Sequence, residues 1–512
     1  MNDSGLKKVP LWLWVIFGFF LLNVLTYDWY TTVWMDEVMY TDPAANHYFG
    51  KGFTSTAWAF QNKDAFWAGN VPLYSSLLVI WFKICGFGIF QTRLLDYLLW
   101  ALASTMICLS ARRFRWVTSG KSLALLAVLT SLGPGTAFIC RSGRYDPLAV
   151  LLAAACLWAS SLSGSKLRLS AIFLVSCLFF PAYPAFAPFC ALMAVGLLLV
   201  NRGKIWCELM ASALGGAMGI GLLYVLYHHF GVWTDFLHAV TGNTQTYYNR
   251  DYYHTTHIDL SVLLHKKMAD GFSVLFADKS SLLLLLGILA LLFFRKVDAP
   301  LKNHKLVAFS LLAFVIIPFG MLLVYAFPIY YWWMRYLPLC LSLVTLLETV
   351  TLPGGNWSKA LLVAVVGLVV SVNGLPGRLL FAADDLSERN YHNVENVING
   401  SIKTNDVVFA DYQAFYPLQK LKVRTYYGWY LNVITKPEED SITCLVINPD
   451  ALPGTEKALG GQWQPVGAAY LHENKFHSRL LNRLLPGYFQ GQTNQKYNLA
   501  VYRRAVVAET PP

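Results

Sequence analysis

Long apolar runs separated by short polar connections fill most of the chain from residue 11 to residue 377. A helix needs about 20 apolar residues to cross roughly 30 Å of hydrocarbon. Runs that approach this length occur near 11–30, 94–111, 122–140, 147–162, 169–182, 184–200, 206–228, 281–294, 306–326, 329–349 and 359–377. The pattern therefore predicts a polytopic α-helical membrane protein with about eleven transmembrane helices.

The apolar stretch 71–90 decides the predicted topology, because it could span the membrane or lie in its interface. Pro72, Lys83 and the pair Gly86 and Gly88 favour an interfacial amphipathic helix in the first outer loop. If this stretch does not span, the basic clusters share one side, as the positive-inside rule requires. These clusters are Lys7-Lys8, Arg112-Arg113-Arg115, Lys166-Arg168, Arg202-Lys204, Arg295-Lys296 and Lys359.

In that topology the loop 31–93, the turn 141–146 and the long segment 230–280 face outward. Segment 230–280 is too polar to span and too aromatic for a plain linker, which indicates a structured outer loop. Further along, helical stretches alternate with apolar runs at 406–410 and 442–447 and a late strand at 499–502, which favours a small α/β unit. We therefore expect a transmembrane catalytic domain at 1–378 and an extracytoplasmic α/β domain at 379–512.

The composition agrees with a multi-pass membrane protein. Of the 512 residues, 56% are hydrophobic and only 13% are charged, which is too apolar for a soluble chain of this length. The net charge of +11 falls in clusters between apolar runs, so it indicates membrane orientation and not nucleic-acid binding. The nine cysteines follow neither a disulfide framework nor a metal-binding spacing.

Two acidic positions are predicted to share the outer face. Asp36 and Glu37 directly follow the first apolar run, where a carboxylate could transfer a proton or could simply solvate the helix end. Asp146 stands before a proline at a predicted helix start, so helix capping alone would explain it. The neighbouring Arg141 and Arg144 make a phosphate site at this turn the alternative.

An aromatic run near the outer end of a predicted span contains Arg335. Its sequence is Tyr330-Tyr331-Trp332-Trp333-Met334-Arg335-Tyr336. Arg335 could be an interfacial anchor whose head reaches toward water, or a bidentate ligand of a phosphate group. The histidines at 228, 229, 254 and 257 lack a regular spacing with carboxylates, so we predict structural roles for them.

Several short motifs occur in a fixed order between residues 10 and 380. They are Asp36-Glu37 with Tyr40, Pro72-Leu73-Tyr74, Trp81-Phe82-Lys83 with Gly86, Arg93-Leu94-Leu95, Arg112-Arg113, Arg144 through Asp146-Pro147, and Arg335-Tyr336-Leu337-Pro338. This order resembles the C-type (GT-C fold) membrane glycosyltransferases, in particular the protein O-mannosyltransferases and the lipid A aminoarabinose transferase. The segment after residue 379 resembles the variable periplasmic domain of such enzymes.

The resemblance implies an inverting glycosyltransferase. Its donor would be a sugar on a polyprenyl phosphate carrier, most simply undecaprenyl phosphate, and its acceptor a hydroxyl of a lipid, glycan or protein. The reaction would take place on the outer face of a bacterial inner (plasma) membrane. Asp36 matches the base of the family, Glu37 and Tyr40 match its neighbours, and Asp146 matches the second acidic position.

The sequence departs from the family where the carrier phosphate is expected. The aminoarabinose transferase has a lysine just before the proline that corresponds to Pro72, whereas Val71 precedes it here. Met39 also stands where an arginine is expected. Phosphate binding is therefore expected from other cations, first from Arg335 and Arg144 and then from Arg141, Lys63 or Lys83.

Two further interpretations follow from the same residues. No cofactor is required, but a divalent metal could bridge Asp36, Asp146 and the lipid phosphate, since related oligosaccharide transferases use one. A transporter or flippase is the alternative function, in which these acids would bind an ion or substrate. Transporters usually place such charges at the bilayer midplane between repeated halves, and this chain shows no repeat. A non-catalytic assembly component would leave the acidic loop unexplained.

Overall fold

The computed structural model describes residues 9–58, 60–184, 196, 206–240, 275–295, 303–324, 329–383, 386–432, 434–470 and 496–505. The predicted span 184–200 therefore lies almost entirely outside the described residues. The same is true of 241–274, which includes His254, His257 and most of the predicted outer loop.

Up to residue 383 the described chain is a bundle of helices. They are α1 Leu11–Leu25, α2 Met35–Tyr48, α3 Pro72–Cys85, α4 Ile89–Arg113, α5 Gly120–Leu132, α6 Pro134–Ile139, α7 Asp146–Ser160, α8 Ser165–Ala182, α9 Trp206–His229, α10 Lys279–Phe293, α11 His304–Val324, α12 Trp333–Thr349, α13 Asn356–Asn373 and α14 Leu375–Ala383. Among the described residues, α4, α8, α9, α11 and α13 are long and apolar enough to cross a membrane, and α1, α3, α5, α7 and α10 are shorter apolar helices. The prediction of a mostly helical membrane protein is confirmed.

The ends of α1 and α4 lie at the same end of the bundle. Arg93, in the first turn of α4, donates hydrogen bonds to the carbonyls of Tyr27 and Thr31, just after α1, at 2.8 and 2.9 Å. The intervening α3 has 14 residues, a length of about 21 Å, and it ends at Gly86, whose φ is 82°. This geometry agrees with the prediction that the stretch 71–90 does not cross the membrane.

The predicted span 122–140 is broken into α5 and α6 at Gly133-Pro134. Proline lacks an N–H, so a helix interrupted here leaves nearby carbonyls without their usual donors. The hydroxyl of Tyr336 donates to the carbonyl of Leu129 at 2.8 Å. A side chain at Gly133 would come within 2.5 Å of the Tyr336 ring. The break thus fixes α12 against the end of α5.

After residue 386 the chain folds around a small mixed sheet. The helices are α15 Leu386–Arg389, α16 Tyr391–Ser401, α17 Phe415–Lys420, α18 Lys436–Asp440 and α19 Leu452–Leu459, and the strands are β1 Val407–Ala410, β2 Arg424–Tyr427, β3 Cys444–Ile447, β4 Trp463–Tyr470 and β5 Leu499–Arg504. Their order is β2-β1-β3-β5-β4. Strand β1 pairs in parallel with β2 and β3, and β5 runs antiparallel to both of its neighbours. The apolar runs at 406–410, 442–447 and 499–502 become β1, β3 and β5, as predicted.

The C-terminal segment packs directly on the first loop after α1. The Gln419 amide donates to Asp42 at 2.8 Å, and the Tyr427 amide donates to the Thr56 carbonyl at 3.3 Å. The hydroxyl of Tyr497 accepts from the Val33 amide at 3.4 Å. The sheet therefore supports the loop that carries the predicted acids, and the division into two domains stays a prediction.

Candidate active site

Helix α2 begins at the predicted acidic pair. Trp34 is extended, α2 starts at Met35, and both acids lie in its first turn, where carboxylates interact favourably with the positive end of the helix dipole. Successive residues of a helix point about 100° apart. Asp36 and Glu37 consequently face different partners and take part in two separate ion-pair groups.

The first group joins Asp36, Arg144 and Asp146. The Arg144 guanidinium is ion-paired with Asp36 through Nη1 and with Asp146 through Nε, the latter at 2.6 Å. Trp333 donates from Nε1 to Asp146 at 3.4 Å. The side chains of Arg144 and Asp146 are fully buried, whereas that of Asp36 is 12% exposed. Asp36 is thus the member of this group that a bound molecule can reach.

Aromatic rings enclose the Arg144 guanidinium. Its central carbon lies 3.9 Å from the centroid of the Tyr330 ring, 5.0 Å from Tyr145 and 5.6 Å from Trp34. A planar guanidinium stacks on such faces and is only weakly hydrated. The rings fix the orientation of Arg144, so the aromatic run that the sequence suggested as a membrane anchor lines the candidate site.

The second group joins Glu37 to Arg93 and to the C-terminal segment. Arg93 donates from Nη2 and Nε to the two carboxylate oxygens of Glu37, at 2.8 and 3.2 Å. The hydroxyl of Tyr416, in α17, donates to the same carboxylate at 2.9 Å. All three side chains are buried. A fully paired carboxylate with this geometry holds α2, α4 and α17 together and is not positioned to accept a substrate proton.

The turn between α6 and α7 can approach Glu37 because residue 143 is glycine. Gly143 has φ 58°, a conformation that glycine adopts without strain. A Cβ at this position would come within 2.5 Å of the Glu37 side chain. The Trp34 indole also donates to the Ser142 carbonyl at 3.0 Å. These contacts place Arg144 opposite Asp36.

Asp96 is a fourth acid of the site, and the sequence did not single it out. It lies on α4 one turn after Arg93 and is fully buried. One oxygen accepts from the Tyr74 hydroxyl at 2.9 Å, and the other accepts from the Arg144 amide at 3.1 Å. Asp96 therefore holds the backbone of the turn. Its position one helical turn from an arginine was the only signal in the sequence.

Arg141 is buried in the same turn but faces away from the acids. Its guanidinium donates to Asn23 at 2.9 Å, to the Thr26 hydroxyl at 3.0 Å, and to the carbonyls of Thr26 and Tyr30. The predicted phosphate ligand is thus occupied by oxygens of the protein. It clamps the end of α1 to the turn.

Arg335, which the sequence suggests as a phosphate ligand, is paired with an acid inside the bundle, and its phosphate role stays a prediction. Its side chain is fully buried, and its Nε donates to the carboxylate of Asp278 at 3.2 Å. Its guanidinium also stands 5.1 Å from the centroid of the Phe314 ring. Asp278 is in turn the N-cap of α10. The described contacts of Arg335 therefore tie α12 to α10 and α11.

The remaining predicted residues lie at the edge of the site or outside it. Lys63 forms ion pairs with Asp64 and Glu438, both at 2.8 Å, so it joins the loop to the C-terminal segment. Lys83 is exposed in the last turn of α3. Tyr40 is buried and packs edge-to-face on Tyr145, with the ring centroids 4.8 Å apart. Only Tyr40 of these three touches the enclosure around Arg144.

A divalent metal between Asp36 and Asp146 does not fit this arrangement. The guanidinium of Arg144 already occupies the space between the two carboxylates. Within the described ranges, no group of three or more His, Cys, Asp or Glu side chains is arranged to hold a metal ion. A metal would also need the oxygens that now pair with the arginine.

The fold, a helical bundle with an attached α/β segment, is shared with solved structures of other proteins. The crystal structure of ArnT from Cupriavidus metallidurans bound to undecaprenyl phosphate is similar to the chain with a TM-score of 0.60 and 12% identity, over 98% of this chain and 99% of that one. The apo structure of the same protein gives a TM-score of 0.53 at 12% identity, over 96% and 97%.

A mutant of the arabinofuranosyltransferase AftD from Mycobacteria is also similar, with a TM-score of 0.50 and 16% identity, over 98% of this chain but 42% of that one. No protein-family model matches the sequence, and no curated protein matches it by sequence. At these identities the similarity shows the fold, and it extends over nearly the whole length of ArnT.

Proposed function

We propose that this protein is an inverting glycosyltransferase that moves a sugar from a polyprenyl phosphate carrier to a hydroxyl acceptor. The observation that carries the proposal is Asp36, a carboxylate held by Arg144 and still partly exposed, in a fold shared with ArnT over almost its full length. ArnT was crystallised with undecaprenyl phosphate, which supports the same class of carrier here.

In this proposal Asp36 is the general base. It takes the proton of the acceptor hydroxyl while the acceptor oxygen forms a bond to the anomeric carbon of the sugar. The bond from that carbon to the phosphate oxygen breaks at the same time, and the polyprenyl phosphate leaves with the electron pair. Attack opposite the departing phosphate inverts the anomeric configuration.

Arg144 fits the needs of such a base. An ion pair favours the charged carboxylate, but Arg144 is shared between Asp36 and Asp146, so one positive charge serves two negative ones. Asp36 is therefore only partly compensated and stays able to accept a proton. Asp146 acts through Arg144, which makes it a positioning residue.

The outer face is the proposed location of the reaction. Arg93 and Asp146 lie near the starts of α4 and α7, whereas the basic clusters at 112–115 and 166–168 lie at or just after the other ends of these helices. Basic loops are typical of the cytoplasmic side. A transporter or flippase remains the alternative function. It would move the lipid without cleaving its bond to the sugar, so product analysis separates the two.

The test is a transfer assay with the purified full-length protein in nanodiscs. Polyprenyl phosphates carrying different pentoses and hexoses would be offered together with a membrane-lipid extract, and released polyprenyl phosphate would be measured by mass spectrometry. We expect release with at least one donor and an inverted linkage in the product by NMR. Absence of release in nanodiscs, together with movement of intact donor across the bilayer of sealed proteoliposomes, would contradict the proposal and favour the flippase.

A further inference from the structure

Two buried arginines near the end of α1 have no carboxylate partner in the part of the chain that the structure describes. Arg141 is fully buried, and Arg378, in α14, is only 7% exposed. Both bind Tyr30: Arg141 donates to its carbonyl, and Arg378 donates from Nη1 to its hydroxyl. Burying a charge without an opposite charge is costly, so an anion is expected nearby.

The two arginines differ in what their donors reach. The guanidinium of Arg141 is bound by the neutral oxygens of Asn23, Thr26 and Tyr30. The Nε of Arg378 is buried and has no hydrogen-bond partner among the described residues. Arg378 therefore has a buried N–H donor that no described residue satisfies, and Arg141 contributes a positive charge beside it.

Charge is distributed unevenly on the two sides of segment 30–36. At the Asp36 end, two carboxylates share the single guanidinium of Arg144. At the Tyr30 end, two guanidinium groups share no carboxylate among the residues whose contacts are described. The Asp36 end of the segment therefore carries excess negative charge and could accept a proton. The Tyr30 end carries excess positive charge and could bind an anion.

The positive end lies close to an exposed apolar surface of the bundle. Leu25, at the end of α1, is 67% exposed, and Leu380, two residues after Arg378, is 62% exposed. The start of α14 packs closely on the end of α5, since a Cβ at Gly374 would come within 1.7 Å of the Leu132 carbonyl oxygen. Arg378 is consequently fixed at an apolar boundary of the bundle.

We propose that Arg378, together with the Tyr30 hydroxyl and the charge of Arg141, binds the phosphate group of a membrane lipid. The Arg378 Nε–H and the Tyr30 O–H are the donors, and guanidinium groups pair well with phosphate oxygens. The phosphate could belong to the sugar carrier or to a phosphorylated acceptor lipid. The choice between carrier and acceptor rests on the proposed function. The binding of a lipid phosphate does not, because a lipid can bind without sugar transfer.

The test measures binding to the full-length protein in nanodiscs, without a sugar donor. The probes are undecaprenyl phosphate, its neutral alcohol undecaprenol, phosphatidic acid and inorganic phosphate. Arg378→Gln is compared with Arg424→Gln, which removes an exposed arginine at the start of β2. We expect Arg378→Gln to weaken at least one lipid phosphate by about tenfold or more, as for a lost charge-assisted hydrogen bond, and Arg424→Gln to leave it unchanged.

The pattern across the probes identifies the source. A loss confined to undecaprenyl phosphate assigns the site to the carrier, and a loss confined to phosphatidic acid assigns it to the acceptor. If Arg378→Gln does not fold, Tyr30→Phe should still weaken phosphate binding several-fold while undecaprenol binding stays the same. Equal affinity for every phosphate probe in wild type and in the folded variants would overturn the inference, whether or not the protein transfers sugar.

Discussion

Tyr416→Phe isolates the contact by which the C-terminal segment supports the acidic helix. The substitution removes one hydroxyl, which donates to the buried Glu37 carboxylate at 2.9 Å, and leaves the packing of the ring intact. A hydrogen bond to a charged group contributes about 1.5–3 kcal/mol. At 1.36 kcal/mol per factor of ten, the local opening of α17 should become about 10- to 150-fold more frequent.

Native-state hydrogen exchange of the amides of 415–420 measures this opening directly. The matched control is Tyr426→Phe in β2, an equally buried tyrosine whose hydroxyl has no hydrogen-bond partner in the described part of the chain. The control should leave the exchange of 415–420 unchanged. In a Glu37→Gln background, Tyr416→Phe should cost only about 0.5–1.5 kcal/mol, since the bond is then neutral. Two results would refute this account of the contact between Tyr416 and Glu37. One is equal exchange of 415–420 in Tyr416→Phe and Tyr426→Phe, and the other is an effect of Tyr416→Phe that is just as large in the Glu37→Gln background.

Three further substitutions test other parts of the structure. Burial raises the pKa of Asp42 from 3.8 to about 6 despite its hydrogen bonds. Because the folded-state pKa is the higher one, its contribution to stability is full below pH 3.8 and is lost as the pH rises through about 6, a loss of roughly 3 kcal/mol. Asp42→Asn should therefore raise Tm at pH 7 and flatten its pH dependence between about pH 4 and 6, and an unchanged slope would contradict this. Gly143→Ala should lower Tm and abolish transfer together, because a Cβ there meets a buried glutamate; normal activity would rule out the close approach. Arg335→Gln should cost about 3–5 kcal/mol by leaving Asp278 buried without its partner, with no change in donor affinity of the folded fraction; weaker donor binding would restore Arg335 as a phosphate ligand.

The sequence was sufficient to predict the local features of the site. The apolar runs predicted the helical membrane fold, and the end of the first run placed Asp36 just beyond the first helix. The turn at 141–146 was predicted to lie on the same membrane face. These features depend on residues close together in the chain, whose periodicity and charge can be read directly.

The partners of these residues could not be predicted, because they come from distant parts of the chain. Glu37 and Tyr416 are 379 residues apart in sequence. Arg335 resembles a phosphate ligand until Asp278, 57 residues away, is seen beside it. Arg378 follows a glycine at the end of an apolar run and gives no signal of its own. Charge pairing in three dimensions decided which cations are available to a substrate.

The direct test of the central claim is the single-turnover rate of sugar transfer by Asp36→Asn, measured at equal donor occupancy in wild type and variant. A general base contributes about 10²- to 10⁴-fold, so the rate should fall by that factor while donor affinity stays within about twofold of wild type. Asp450→Asn, which changes an exposed carboxylate of the C-terminal segment, should retain the full rate. Transfer by Asp36→Asn at near the wild-type rate would contradict the account.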